Sequence, residues 1–399
     1  MNRLPRQVAL FGFVSLLNDF ASEMVYPLLP AFVTGVLGAG AVALGTLDGA
    51  AEFAAAFVKF GSGRLSDRSQ KRGPLIVLGY LIAVVVRPII AVTAAAWQVI
   101  GLRVVDRIGK GIRTPPRDAL IADVTPPLLR GRAFGLQRGM DHAGAVLGPL
   151  VAFWLLTSRG ADVRGVIAAS IAPGIIVLAL AVWAVSGSRA EGGRSRSPEP
   201  AAAVTSVTPL PQPRPLPPAL YAIVAFYLLR MPETLVILRS QQLGVSVSSV
   251  LLLWAALHVV RSSSSFVGGA LTDRIGPART MWLGWVAYAL IAAGFALARG
   301  ATQAWALFLA LGLVAGLTES PERALVARAS GGQQGSGFGG YHGWTGLAAL
   351  AGGVVLGWLF QGLGAAPAFA VSAVGGAALV LAWPIVSQRI EAAVTSRKE

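Results

Sequence analysis

The residues best placed to do chemistry sit in one stretch, Trp97 to Asp123. There an apolar run is interrupted by Arg103, Asp106, Arg107, Lys110, Arg113, Arg117 and Asp118. Read as a helix at about 100° per residue, Arg103, Asp106, Arg107, Lys110, Arg113 and Arg117 fall within an arc of about 120°. The opposite side carries Ile100, Leu102, Val104, Val105, Ile108 and Ile112, which suits lipid or helix packing. A charged side chain at the centre of a bilayer costs roughly 2.5–3.5 kcal/mol, so a row of them facing lipid is prohibitive. The stripe has to face protein or a water-filled cavity. Arg103, Asp106, Arg107 and Lys110 are expected to line such a cavity, and Arg113 and Arg117 to reach the cytoplasmic interface.

Carboxylates supply the other half of the electrostatics. Asp19 and Glu23 lie four apart in the first apolar run, and Asp48 and Glu52 repeat that spacing in the second, so each pair stacks on one helix face. A carboxylate buried without a cation binds a proton more readily than one in water. All four are candidates for proton coupling; the competing expectation is a permanent ion pair with Arg103, Arg107 or Lys110. Arg138, Asp141 and His142 form a further charged cluster, within reach of the stripe if their helices are neighbours. Later in the chain, Arg230 and Glu233 flank Met231-Pro232 and are expected to pair beside a kink. His258 and Arg261, and Glu319 with Glu322, are sparser; Glu322, Arg323 and Arg328 are expected at a cytoplasmic gate. The three histidines, His142, His258 and His342, do not share metal-ligand spacing, so no metal site and no cofactor is implied. There is no cysteine, no G-x-S-x-G elbow, no G-x-x-x-x-G-K-[ST] loop and no HExxH, so an enzyme is not expected.

The elements that must position these residues are membrane helices. The chain has 399 residues, 55% hydrophobic and only 13% charged, with a mean hydropathy of +0.66, against about 25% charged in soluble domains. At about 20 residues per crossing, twelve spans are expected near 8–30, 41–60, 74–94, 97–114, 134–157, 166–186, 219–238, 247–268, 280–298, 302–322, 338–360 and 366–386. The formal net charge of +15 gathers in connections 61–73, 115–133, 187–218, 269–279 and 323–337 and at the termini. The opposite connections hold few cations: Arg159, Arg164, Arg239 and Arg299. That asymmetry expects both termini in the cytoplasm and argues against nucleic acid as the partner. Residues 187–218, basic and then proline-rich, read as a cytoplasmic linker.

The two halves repeat. Gly63-Arg-Leu-Ser-Asp67-Arg68 returns as Gly269-Ala-Leu-Thr-Asp273-Arg274, Ala119-Leu-Ile-Ala122 as Ala324-Leu-Val-Ala327, and Gly131-Arg-Ala-Phe134-Gly135 as Gly335-Ser-Gly-Phe338-Gly339, at offsets of 206, 205 and 204. Six spans per half is an even number, so the copies insert in the same orientation, as parallel repeats about an axis along the membrane normal. By this repeat Tyr341, His342 and Trp344 correspond to Gln137, Arg138 and Met140; such aromatic residues either pack or touch substrate. The domains expected are 1–186, a six-helix bundle; 187–218, the linker; 219–388, a second six-helix bundle; and 389–399, a cytoplasmic tail.

Gly63-Arg-Leu-Ser-Asp67-Arg68-Ser-Gln-Lys71-Arg72 resembles the G-x-L-A-D-R-x-G-R-R loop of the major facilitator superfamily, with Gln70 where the second glycine is usual. Arg103-Val-Val-Asp106-Arg107-Ile-Gly109-Lys110-Gly111 resembles that superfamily's R-x-x-x-G-x-G-x-G, with Arg107 in place of the first glycine and Asp106 and Lys110 as added charges. Gly144-Ala-Val-Leu-Gly148-Pro149 is similar to the front of the G-x-x-x-G-P signature of its antiporters. The resemblance covers the whole length apart from the linker and tails. It implies an all-α integral membrane protein of 12 transmembrane helices, two parallel six-helix bundles around a central cavity. It further implies alternating access, with Asp67, Arg68, Asp273 and Arg274 in cytoplasmic latches. The function expected is a proton-coupled secondary transporter in a bacterial-type inner membrane, a monomer, exporting a small anionic or zwitterionic compound. Multidrug or cation export, proton-driven uptake, and a non-transporting receptor or scaffold are the alternatives.

Overall fold

Every regular element is a helix among residues 4–69, 72–126, 129–192, 218–330 and 334–395, which the computed structural model describes. In order they are α1 (Arg6–Val25), α2 (Leu29–Ala31), α3 (Ala41–Ser69), α4 (Arg72–Ile89), α5 (Ala96–Val124), α6 (Arg130–Ser158), α7 (Val163–Ala169), α8 (Ile171–Gly192), α9 (Pro218–Leu229), α10 (Glu233–Gln242), α11 (Val247–Ile275), α12 (Pro277–Leu297), α13 (Ala301–Ser330), α14 (Gln334–Leu363) and α15 (Ala365–Thr395). Eleven segments of the described chain are long and apolar enough to cross a membrane. The remaining expected span, 97–114, falls on α5, whose charges keep it out of that set although it runs for 29 residues. The chain is an integral membrane protein.

Proline positions mark where sequence boundaries fail. Pro27 and Pro30 break the regular winding after α1, which continues as a tight turn, α2 and a wider turn as far as Val36. The expected kink at Met231-Pro232 is a full break between α9 and α10. The groups it releases are satisfied across helices: Met231 N donates to Tyr288 Oη at 2.7 Å, and Ser372 Oγ donates to Leu229 O at 2.7 Å. Conversely α5 does not stop at 114 but passes through Pro115 and Pro116. Pro115 has no N–H for the carbonyl four residues back, and Ser62 Oγ donates to that Gly111 oxygen at 2.8 Å instead. Trp282 Nε1 does the same at 3.1 Å for Val380, four residues before Pro384. In a bilayer such replacement donors are what let a helix carry an internal proline.

The charged connections are shorter than expected because helices extend through them. Of 61–73, residues up to Ser69 belong to α3, and α4 begins at Arg72, whose guanidinium pairs with Asp123 at the end of α5. Two of the four arginines on the weakly charged side have a structural explanation. Arg164 donates to the carbonyls of Ala91 and Thr93 beyond α4, and Arg239 to those of Phe295 and Ala298 at the end of α12. A cation at a helix C-terminus satisfies orphan carbonyls and complements the dipole.

Packing follows the repeat. α1 packs on α6 and α8, α4 on α5 and α8, and α3 on α5; later, α11 packs on α13, α12 on α13 and α15, and α9 on α14 and α15. Ser62 meets Gly111 where α3 crosses α5. At offsets of 206 and 205, Gly268 meets Gly316 where α11 crosses α13, so close that a Cβ on Gly268 would sit 1.9 Å from the Gly316 oxygen. Between the halves the main contacts are α3 with α14 and α6 with α11. Gly45 and Gly353 carry the first: a Cβ on either would fall within 2.3 Å of the other's carbonyl oxygen. One apolar cluster runs across both halves; its members Tyr26, Phe32, Leu44, Leu235, Trp254 and Phe308 lie toward the end away from the chain termini, the far side, and Met281, Leu325 and Trp383 toward the opposite end. A second, including Phe11, Ile76, Tyr80 and Ile121, belongs to the first half alone.

Candidate functional site

The α5 stripe faces inward, as its arc requires. Arg103 and Asp106 are buried at 2% and 1% exposure, Arg107 and Lys110 are half-buried, and Val105 on the opposite side is exposed. Asp106 sits between two guanidiniums. Arg87 Nε of α4 donates to Oδ1 at 3.0 Å, and Arg103 Nη1 donates to Oδ2 at 3.3 Å. Arg87 also donates to Asn18 O at 3.0 Å, tying α4 to α1. The Arg103 guanidinium lies 4.7 Å over the ring of Tyr26, a cation–π contact. Among the described residues, Nε and Nη2 of Arg103, and Nε of Arg107, are buried with no hydrogen-bond partner.

Arg113 corrects its expectation. It is buried, not interfacial: Nη1 donates to Gly79 O at 2.9 Å, Nη2 to Asn18 Oδ1 at 3.4 Å, and the guanidinium stacks 4.8 Å over Tyr80. The reason is that α5 continues past Pro116, carrying Arg113 below the packed face of α4. Arg117, half-buried, likewise turns inward, to Ser15 Oγ at 3.0 Å as well as to Asp118.

Three of the four carboxylates are held by neutral donors. Asp48 accepts from Tyr26 Oη at 2.9 Å, from Thr234 N at 3.0 Å and from Thr234 Oγ1 at 2.8 Å. Thr234 stands in the first turn of α10, so the break before it aims an N-terminal N–H at a carboxylate of the other half. Glu23 accepts from Trp254 Nε1 of α11 at 3.0 Å, with His258 Nε2 at 3.9 Å. Asp19 accepts from Asn18 at 2.9 Å, and Glu52 is exposed. Among the described residues none of the four forms an ion pair with Arg103, Arg107 or Lys110.

The other sequence candidates divide. Arg138 is exposed on α6, His142 is half-buried, and Asp141 accepts from Gln137 at 2.9 Å, with Gln137 also reaching Ser15 at 3.4 Å. α1, α5 and α6 thus meet around Ser15. Arg230 and Glu233 pair at 3.6 Å across the α9–α10 break, but Arg261 of α11 is the closer partner, at 2.6 Å. Glu322 differs from its gate expectation. It is buried at 2%, accepting from Tyr341 at 2.8 Å and Tyr227 at 3.2 Å, because that face of α13 packs toward α9 and α14. Tyr341 is thereby accounted for by packing, and Trp344 is exposed. Asp273 and Arg274 are exposed at the end of α11; the side chains of Asp67 and Arg68 lie outside the described residues. Arg87, Tyr26, Thr234 and Trp254 were not picked out from the sequence. For Arg87 a signal existed: a lone arginine inside the 74–94 span is as costly there as the charges of α5.

Charges turned onto an internal interface of a membrane-helix bundle mark a functional site. The sequence matches the Major Facilitator Superfamily over residues 11–330, and the chain belongs to that family of transporters. It is 28% identical over 363 residues to MJ1317, an uncharacterized MFS-type transporter of Methanocaldococcus jannaschii, spanning 90% of this chain and 89% of that one. It is 32% identical over 144 residues to the multidrug resistance protein MdtH of Photorhabdus laumondii, 36% of each. The fold is similar to the crystal structure of the nucleoside transporter NupG, with a TM-score of 0.73 over 96% of this chain and 99% of that one, at 13% identity. The G-x-x-x-G-P motif has a packing role. A Cβ on Gly144 or Gly148 would lie 2.1 or 2.3 Å from α1 backbone oxygens of Leu16 and Phe20, so these glycines set how closely α6 approaches α1.

Proposed function

We propose that the chain is a proton-coupled secondary active transporter that works by alternating access and exports a small organic anion or zwitterion. In this reading twelve membrane helices form two parallel six-helix bundles, 1–186 and 219–388, joined by the cytoplasmic linker 187–218. The protein is a monomer in the cytoplasmic membrane with both termini, including the tail 389–399, inside. The observation that carries the substrate's charge is the buried excess of guanidinium. Arg87 and Arg103 share one carboxylate, and Arg103 keeps unpaired donors. A charge held so deep costs free energy unless an opposite charge arrives. Arg103, Asp106, Arg107 and Lys110 are assigned to substrate, with Arg138, Asp141, His142, Arg230 and Glu233 around them.

Asp48 and Glu23 are assigned to proton coupling, with Asp19 and Glu52 as further acceptors. Both of the first two accept hydrogen bonds from the opposite half. Charge-assisted bonds are about twice as strong as neutral ones, so protonating either carboxylate loosens the far side. That links proton entry to opening, while 61–73 and 269–279, with Asp67, Arg68, Asp273 and Arg274, latch the cytoplasmic side. The likeness to MdtH, with Asp48 held by neutral donors, favours multidrug or cation export as the second reading.

The test is to energise everted membrane vesicles containing the protein and follow internal pH while adding organic anions, zwitterions and lipophilic cations. Proton release triggered by anions or zwitterions and absent in Asp48→Asn is the expected result. Release triggered by lipophilic cations alone would sink the anionic assignment, and release unchanged in Asp48→Asn would remove that residue from coupling.

A further inference from the structure

The unpaired atoms of Arg103 are not scattered. Nε and Nη2 are neighbours on one edge of the planar guanidinium, the edge that grips an oxyanion through two parallel N–H bonds. That edge is free because of how Asp106 is shared. A carboxylate beside a single arginine would turn to take both donors of an edge. Here Arg87 occupies Oδ1 at 3.0 Å, so Arg103 keeps one longer contact, from Nη1 to Oδ2 at 3.3 Å. Arg87 is itself fixed by Asn18 O at 3.0 Å, and the Tyr26 ring holds the Arg103 plane. All three members of the cluster are at least 96% buried, since Arg87, the most accessible, is 4% exposed.

We infer that Arg87 is a positioning residue: by holding Asp106 it keeps the Nε–Nη2 edge of Arg103 open for a carboxylate or phosphate group of the substrate. This rests on the anionic reading of the α5 site. Access to the edge is tied to the far-side contact, because the ring lying on Arg103 is the same Tyr26 whose hydroxyl donates to Asp48. In Arg87→Gln, Asp106 swings onto Arg103 and consumes the edge. In Arg87→Gln with Asp106→Asn no carboxylate is left to do so.

The experiment is thermal unfolding of the purified full chain, titrated with benzoate and with inorganic phosphate against sodium chloride of equal ionic strength. The wild type is expected to be stabilised by at least one of the two oxyanions. Arg103→Gln should abolish the effect, Arg87→Gln should weaken the apparent affinity about tenfold or more, and Arg87→Gln/Asp106→Asn should restore it. Should Arg87→Gln fail to fold, Asp106→Asn alone decides, because the inference requires it to bind at least as tightly as the wild type. A folded Arg87→Gln binding like the wild type, a double variant that does not recover, or weaker binding by Asp106→Asn overturns the role of Arg87 and leaves the anionic reading standing. Absence of stabilisation by either oxyanion in the wild type overturns both.

Discussion

Replacing Thr234 by valine should unfasten the far side of the protein while leaving its shape intact. The two side chains are nearly the same size, and Thr234 is fully buried at 0% exposure, so the change removes a hydroxyl and leaves no cavity. That hydroxyl has one proton. It stands 2.8 Å from Asp48 Oδ2 and 3.2 Å from Leu44 O, so the carboxylate is its main partner. A hydrogen bond to a charged group contributes about 1.5–3 kcal/mol. Because the bond spans the two halves, its loss falls on the closed arrangement, and the open-to-closed ratio should rise about 10- to 150-fold. Thr234 N still donates to Asp48 at 3.0 Å, so closure is weakened and not abolished. The chain has no cysteine, which makes labelling clean. Spin labels on Ala94→Cys and Thr302→Cys, exposed positions at the far ends of the two halves, report the separation. Thr234→Val should add a longer distance, Thr234→Ser should not, and in Asp48→Asn the valine should have little further effect. An unchanged distance distribution in Thr234→Val would refute a role for this bond in holding the far side closed.

Two further outcomes test the packing. Ser62→Ala leaves the Gly111 carbonyl, already without a helix donor because of Pro115, unsatisfied; the cost should be about 1–3 kcal/mol and the melting temperature should fall. Adding Pro115→Ala restores an N–H and should recover most of the loss, which a thermal-melt double-mutant cycle measures. Gly353→Ala places a Cβ 2.3 Å from the Gly45 oxygen; overpacking of this kind costs about 1–3 kcal/mol. It should favour the open far side in the same spin-label assay, whereas Gly362→Ala, with open space around its Cβ position, should not.

What could be read in advance, and what could not, follows from the range of each interaction. The α5 stripe was legible because burial of charge is set by the bilayer and by the helical period, both of which act through sequence neighbours. The repeat was legible for the same reason, and the Ser62–Gly111 and Gly268–Gly316 crossings carry its offset into the packing. The pairing of charges was not legible, since it depends on partners far apart in the chain. Asp106 and Arg87 are 19 residues apart, Tyr26 and Asp48 are 22 apart, and Asp48 and Thr234 are 186 apart. That is why Asp48 and Glu23, candidates for proton coupling or for ion pairs with the stripe, instead accept hydrogen bonds from the other half, and why the stripe's own counter-ion is shared with an arginine from α4. The difference bears on mechanism. Had Asp48 paired with Arg103, binding an anion at Arg103 would have released a carboxylate directly. With Tyr26 between them, ring on one side and hydroxyl on the other, the proposed oxyanion site at Arg103 and the far-side contact touch the same side chain without sharing a charge. Tyr26→Phe separates the two roles, because it keeps the ring over Arg103 and removes the bond to Asp48. Oxyanion binding should therefore survive in Tyr26→Phe while the far side opens more readily, and loss of binding together with unchanged distances would show the coupling to run some other way.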